Sequence, residues 1–168
     1  ALIDRRLTRQ EKLVGMKMGL TSKAKMEQVG VHEPIFGHLT SGMQLADGAT
    51  LDTRQSIHPR VEPEVCFVLG EDIHGPTTGN DALAAVDRVC AALEVIDSRF
   101  QDFEFAIEDV VADNASSSHF VIGNERKHPQ EVDLGNIGMV LQHNGEVAET
   151  GSSAAILEHP VRSLVALV

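Results

Sequence analysis

Tryptophan and tyrosine are absent from this chain of 168 residues, cysteine occurs twice, and lysine plus arginine number 14 against 25 aspartates and glutamates. Each shortage excludes something. Cys66 and Cys90 form no CxxC pair, so neither a disulfide framework nor a zinc knuckle is indicated, and both read as small apolar residues. The net charge of -11 argues against a nucleic-acid partner and suits an acidic site for a cation. No apolar run approaches the ~18 residues of a membrane helix, and the N-terminus has no charged-then-apolar signal peptide, so a cytoplasmic protein with no membrane partner is expected. The eight histidines include no HExxH and no other close ligand pair, which argues against a zinc hydrolase and leaves His58 and His119 as hydrogen-bonded structural residues. What is present, 42% hydrophobic and 23% charged residues, suits one domain with a sizeable core.

The most informative stretch is HPRVEPEVCFVL, from His58 to Leu69, where two carboxylates interrupt a strand-like apolar run. In an extended strand Glu62 and Glu64 share one face, roughly 7 Å apart, while Val61, Pro63, Val65 and Phe67 take the other. Two like charges beside a core repel unless a cation sits between them, and a hard divalent ion with oxygen ligands, magnesium or manganese, fits best. A solvated edge strand with its acids facing water is the alternative at this point.

Taken in order, residues 1–10 are polar and Arg-rich and read as the tail of a helix. Lys12 to Leu20 alternates as a strand, with Lys17 between Gly15 and Gly19 on its own face. The open space there leaves a lysine able to bind a carboxylate or move a proton; a surface lysine on a glycine-rich edge is the other reading. SKAKMEQV reads as a short helix capped by Thr21 or Ser22 and stopped by Gly30. VHEPIFGHLTSGM is broken by Pro34, Gly37 and Gly42 into a loop or short strands, suited to a lid or pocket wall. A helix is expected to open near Asn80 or Asp81, with Ala82, Ala85, Val86, Val89 and Leu93 on one face, and to deliver Glu94 at a junction with a strand over 95–100. Asp97 and Arg99 are placed to form a local ion pair. DVVADNASSSHFVIG sets Asp113, Asn114 and three serines in a turn, either an ordinary Asx or serine turn or one that hydrogen-bonds an anion. Asn144-Gly145 between strand-like runs signals a hairpin. The chain begins at Ala1 without a methionine and closes on Val161, Leu164, Val165 and Val168 at helical spacing with no cap, so a single domain over residues 1–168, cut at both ends, is expected.

Five blocks in order, GMKMGLTSKAKM, HEPIFG, HPRVEPEVCFVLG, ALEVIDSRFQDF and DVVADNASSS, resemble the hydratase/decarboxylase branch of the fumarylacetoacetate hydrolase superfamily across nearly the whole chain. The resemblance implies an α+β fold built on a curled mixed β-sheet with flanking helices. It implies Mg2+ (or Mn2+) held by Glu62, Glu64 and Glu94, with Lys17 as the family lysine. It further implies that Asp113, Asn114 and Ser116 lie near the substrate, with Lys17 and Ser116 in catalytic roles. Hydratases of the branch typically carry Pro-Asp-Phe-Gly where this chain has Pro34-Ile35-Phe36-Gly37. Isoleucine at this substrate-binding position removes a proton donor that water addition needs. The implied activity is therefore decarboxylation of the dicarboxylate 2-oxohex-3-enedioate (4-oxalocrotonate) to 2-hydroxypenta-2,4-dienoate, in the meta-cleavage degradation of aromatic compounds. Hydration of 2-hydroxypenta-2,4-dienoate and a non-catalytic partner subunit are the alternatives. A homo-oligomer, and a complex with a 2-hydroxypentadienoate hydratase, are the partners that the family suggests. Pro63 departs from the alanine usual between the two glutamates and is expected to make no ladder bond.

Overall fold

The computed structural model describes residues 2–29 and 31–168. The Arg-rich start forms α1 (Leu2–Thr8), and the alternating run forms β1 (Leu13–Gly19). In α2 (Lys23–Val29) the Ser22 carbonyl accepts from the Met26 amide, which sets Ser22 at the start of the helix; the stop expected at Gly30 lies outside the described residues. The Pro/Gly-punctuated segment resolves into the strand alternative: β2 (Ile35–Thr40) pairs antiparallel with β1, and β3 (Gln44–Leu45) follows after a 3-10 turn.

The central sheet has the order β3-β6-β5-β4, with β4 spanning Arg60–Leu69, β5 Val86–Ile96 and β6 Ser117–Lys127. β3 runs parallel to β6 and the other pairs are antiparallel, so the sheet is mixed and open, and the architecture is α+β as expected. β4 stands at an edge of this sheet, where a proline at position 63 is tolerated because its missing N–H deprives no second neighbour. The hairpin signal at Asn144-Gly145 joins β7 (Gly138–His143) to β8 (Glu146–Ser152), and both turn residues take positive φ, 54° and 84°, as a tight two-residue turn requires.

One expectation fails here. The helix predicted to run as far as Leu93 is only α3 (Gly79–Ala84), capped by the Thr78 hydroxyl, which accepts from the Asp81 amide. Val86 already belongs to β5, so Glu94 lies inside a strand instead of at a helix-to-strand junction. The apolar spacing 82, 85, 86, 89, 93 satisfies a helical stripe, but the run VDRVCAALEVI is half-buried on both faces and has a strand on each side. Ladder bonds to β4 and β6 outweigh a periodicity that is ambiguous for so short a stretch.

Two apolar clusters hold this frame. Ala82, Val86, Val89, Leu134, Val161 and Leu164 pack α3 and α5 (Val161–Ala166) against one end of β5. Ile35, Val110 and Ala115 tie β2 to α4 (Ile107–Ala112) and the turn that follows it.

Candidate metal centre

Strand register brings the acids together. Glu62 on β4 lies directly opposite Glu94 on β5, and Glu64 opposite Ala92, so that all three carboxylates reach the same face. One oxygen from each lies within 4.8 Å of the others. Lys17 of β1 completes the group, its Nζ 2.9 Å from Glu94 Oε2, with both side chains buried. The glycine on either side of Lys17 leaves room for this approach: a Cβ on Gly19 would stand 3.6 Å from Lys17 Nζ and 3.2 Å from Ile35 Cγ1. Gly19 thus lies between the Lys17 ammonium and Ile35, whose apolar side chain packs with Val110 and Ala115.

The cluster is electrostatically unmet. Burial pushes the Glu62 carboxyl up, with the Lys17 charge opposing and the Glu94 charge reinforcing the effect. Glu64 is pushed up to about 8, first by burial and then by repulsion from Glu94 and Glu62. Neither oxygen of Glu94 accepts a hydrogen bond of proper geometry, although the ion pair with Lys17 touches Oε2. Lys17 thus pairs with one acid of the three, and Lys25 and Arg60 add their charge at Glu62. A hard divalent cation fits the remainder, since it takes oxygen ligands and repays the burial of the charged forms.

The Asp113–Ser116 turn has a different character. Asn114 clamps β2 from the side, its Nδ2 donating to the His38 carbonyl (2.9 Å) while its Oδ1 accepts from the His38 amide (2.8 Å). Asp113 accepts from the Arg99 amide (3.2 Å) and the Ser116 hydroxyl (3.2 Å), and it pairs with the Arg99 guanidinium. Asn114, Ala115 and Ser116 all take positive φ, between 52° and 57°, so the turn is held against backbone preference. The Asp97–Arg99 ion pair expected from the sequence is not formed. Arg99 turns instead to Asp113, and Asp97 accepts the amides of Ile57 (3.0 Å) and His58 (2.8 Å), fixing the chain that enters β4. The buried Asp97 carboxylate is met by the two amides, while the exposed Arg99 guanidinium reaches the buried Asp113 instead.

Of the candidate residues, then, Lys17, Glu62, Glu64 and Glu94 converge, and Ile35 stands beside them. Asp113, Asn114 and Ser116 form a separate polar knot, with their polar side-chain groups engaged by the protein. His119 has its structural hydrogen bond, Nδ1 to the Ser118 hydroxyl at 2.9 Å, whereas His58 stacks on Phe103 and its Nε2 is buried without a partner. Cys66 and Cys90 face each other across β4 and β5 as free thiols, half-buried and buried. The sequence reading passed over Arg60 and Phe103. The period of two that picks out Glu62 and Glu64 would have placed Arg60 on their face, but no pattern announces that Phe103 folds back to meet it.

No family model matches the chain. Individual proteins do. A 4-oxalocrotonate decarboxylase of a Pseudomonas species is 51% identical over 165 residues, covering 98% of this chain and 64% of that protein. A 2-hydroxypent-2,4-dienoate hydratase of Pseudomonas putida is 43% identical over 162 residues, covering 95% of this chain and 73% of the hydratase. Among solved structures, the 4-oxalocrotonate decarboxylase of Pseudomonas putida G7, complexed with magnesium and adipate, superposes with a TM-score of 0.94 at 45% identity over 99% of this chain and 64% of that one. The chain thus spans a little under two thirds of the length of the decarboxylases it matches.

Proposed function

This chain belongs to the hydratase/decarboxylase branch of the fumarylacetoacetate hydrolase superfamily, and from that premise we propose that it carries the metal-dependent decarboxylation of 2-oxohex-3-enedioate to 2-hydroxypenta-2,4-dienoate. The observation that carries the choice is Ile35: across Gly19 from Lys17 stands an apolar side chain that offers no acid for adding water to a double bond. The similar decarboxylase with magnesium and adipate supports both the cation and a dicarboxylate.

In this reading residues 1–168 act as one catalytic domain, and Glu62, Glu64 and Glu94 hold Mg2+, or Mn2+ in its place. The cation supplies Lewis acidity to the 2-oxo acid end of the substrate. Lys17 orients Glu94 through the 2.9 Å ion pair and brings an ammonium proton to the same spot. When the C5–C6 bond breaks, carbon dioxide leaves with C6, the electron pair moves through C4 and C3 to the oxygen on C2, and Lys17 is placed to protonate that oxygen. Ile35 excludes water from the diene. Asn114 holds β2, and hence Ile35, through the His38 backbone, and Ser116 and Asp113 bond each other within the turn that carries it, so that the three serve the substrate by positioning. Association with a hydratase of the same branch, or with further copies of itself, belongs to the same proposal, and the exposed Val61, Leu93 and Val140 offer apolar surface for it.

The test uses the protein from its full reading frame, incubated with 2-oxohex-3-enedioate and separately with 2-hydroxypenta-2,4-dienoate, with and without magnesium. Magnesium-dependent release of carbon dioxide from the first is expected. Turnover of the second alone, without carbon dioxide, would make the protein a hydratase that works without an acid at position 35.

A further inference from the structure

The acidic cluster accounts for one end of a dicarboxylate and leaves the other end without a receiver. Lys17, the cation inside the cluster, is committed to Glu94. Arg60 lies two residues before Glu62 on the same face of β4, and it pairs with Ile96, two residues beyond Glu94 on β5. Its guanidinium carbon stands 3.9 Å from the centroid of the Phe103 ring, and Phe103 is stacked in turn on His58 with centroids 4.7 Å apart. The backbone beneath this stack is pinned by Asp97, which takes the Ile57 and His58 amides. The side chain is thus braced, it is exposed, and among the described residues no carboxylate lies within ion-pair distance of it. Its field nevertheless reaches Glu62. A planar guanidinium resting on an aromatic face keeps its in-plane donors free, the geometry that receives a carboxylate bidentately.

We propose that Arg60, braced on Phe103, receives the second carboxylate of the substrate and so selects six-carbon dicarboxylates over monocarboxylates. This inference rests on the function proposed above. Two residues of strand separate Arg60 from Glu62, roughly 7 Å, which is of the order of the length of a six-carbon diacid. The chemistry assigns the contact a definite kinetic signature. A cation on the carboxylate that leaves as neutral carbon dioxide favours the bound substrate over the transition state, so Arg60 lowers KM and does not raise kcat.

The test is the binding of two saturated keto acids that cannot decarboxylate by this route, 2-oxohexanedioate and 2-oxohexanoate, to the magnesium-loaded full-length protein by calorimetry. Arg60→Met is expected to weaken the diacid about tenfold or more and to leave the monoacid within about twofold, with substrate KM raised and kcat equal to or above that of the wild type. Arg60→Lys should recover part of the loss. Lys25→Met, which removes another cation acting on Glu62, should leave the ratio of the two affinities as it was. Equal affinity of the wild type for both acids, or equal loss of both in Arg60→Met, would overturn this proposal while leaving decarboxylation standing. A wild type that binds neither acid and releases no carbon dioxide would overturn the function itself.

Discussion

Two clusters of buried polar side chains lie on either side of β2, and they solve the cost of burial in opposite ways. The side-chain groups of Asp113, Asn114 and Ser116 are each met by another protein group, down to the two hydrogen bonds by which Asn114 holds His38. Around Glu62, Glu64 and Glu94, Lys17 pairs with Glu94, yet neither Glu94 oxygen accepts a proper hydrogen bond, and Glu64 is pushed up to about 8. A satisfied cluster needs no ligand to offset its burial. An unsatisfied cluster of acids that the fold nevertheless maintains is what the proposed metal site requires, because a bound cation would compensate the buried charge.

The comparison is broken most forcefully by removing ligands from one side. Glu62→Ala with Glu64→Ala should cut divalent-cation affinity on the order of 100-fold or more and abolish magnesium-dependent carbon dioxide release, while thermal unfolding of the metal-free protein moves little or upward. The opposite pattern is expected in the turn. Asn114→Ala strips the His38 amide and carbonyl of their partners and should lower stability by about 2–4 kcal/mol in denaturant titration, with magnesium affinity retained. Gly37→Ala belongs with it, since a Cβ there would meet the Asn114 carbonyl oxygen at 2.7 Å, a backbone atom that cannot swing aside; a loss of about 1–3 kcal/mol is expected.

A smaller effect sharpens the electrostatic half. The folded-state pKa of Glu64, about 8, lies above its ordinary value of 4.5. The folded state therefore binds the proton more tightly than the unfolded chain, and this contribution to stability is complete below pH 4.5 and is lost as pH rises through about 8. The melting temperature of the metal-free protein should accordingly fall across that window, less steeply in Glu64→Gln, and saturating magnesium should reduce the fall by compensating the ionised form.

How much of this could be read without the structure differs between the two clusters for the same physical reason. Alternation is a local property, so Lys17, Glu62 and Glu64, the strands that carry them and the Asn144-Gly145 hairpin all stand in the sequence. Register is not local. That Glu94 faces Glu62 depends on β5 pairing with β4, and the stretch that forms β5 reads as a helix until its two neighbours claim its backbone. The turn was legible as a turn, yet the partners of Asp113 and Asn114, namely Arg99 and the His38 backbone, are 14 and 76 residues away. Side chains that satisfy distant backbone leave no spacing to recognise, and Asp97, paired on paper with Arg99, is the clearest case.

The most direct test of the central claim is the binding of Mn2+ by electron paramagnetic resonance, in which the signal of the free aquo ion disappears as the ion is bound. The account predicts loss of that signal up to one equivalent per chain in the wild type, competition by magnesium, and full persistence of the signal in the Glu62→Ala, Glu64→Ala protein. Equal uptake of Mn2+ by the wild type and the double variant would contradict it.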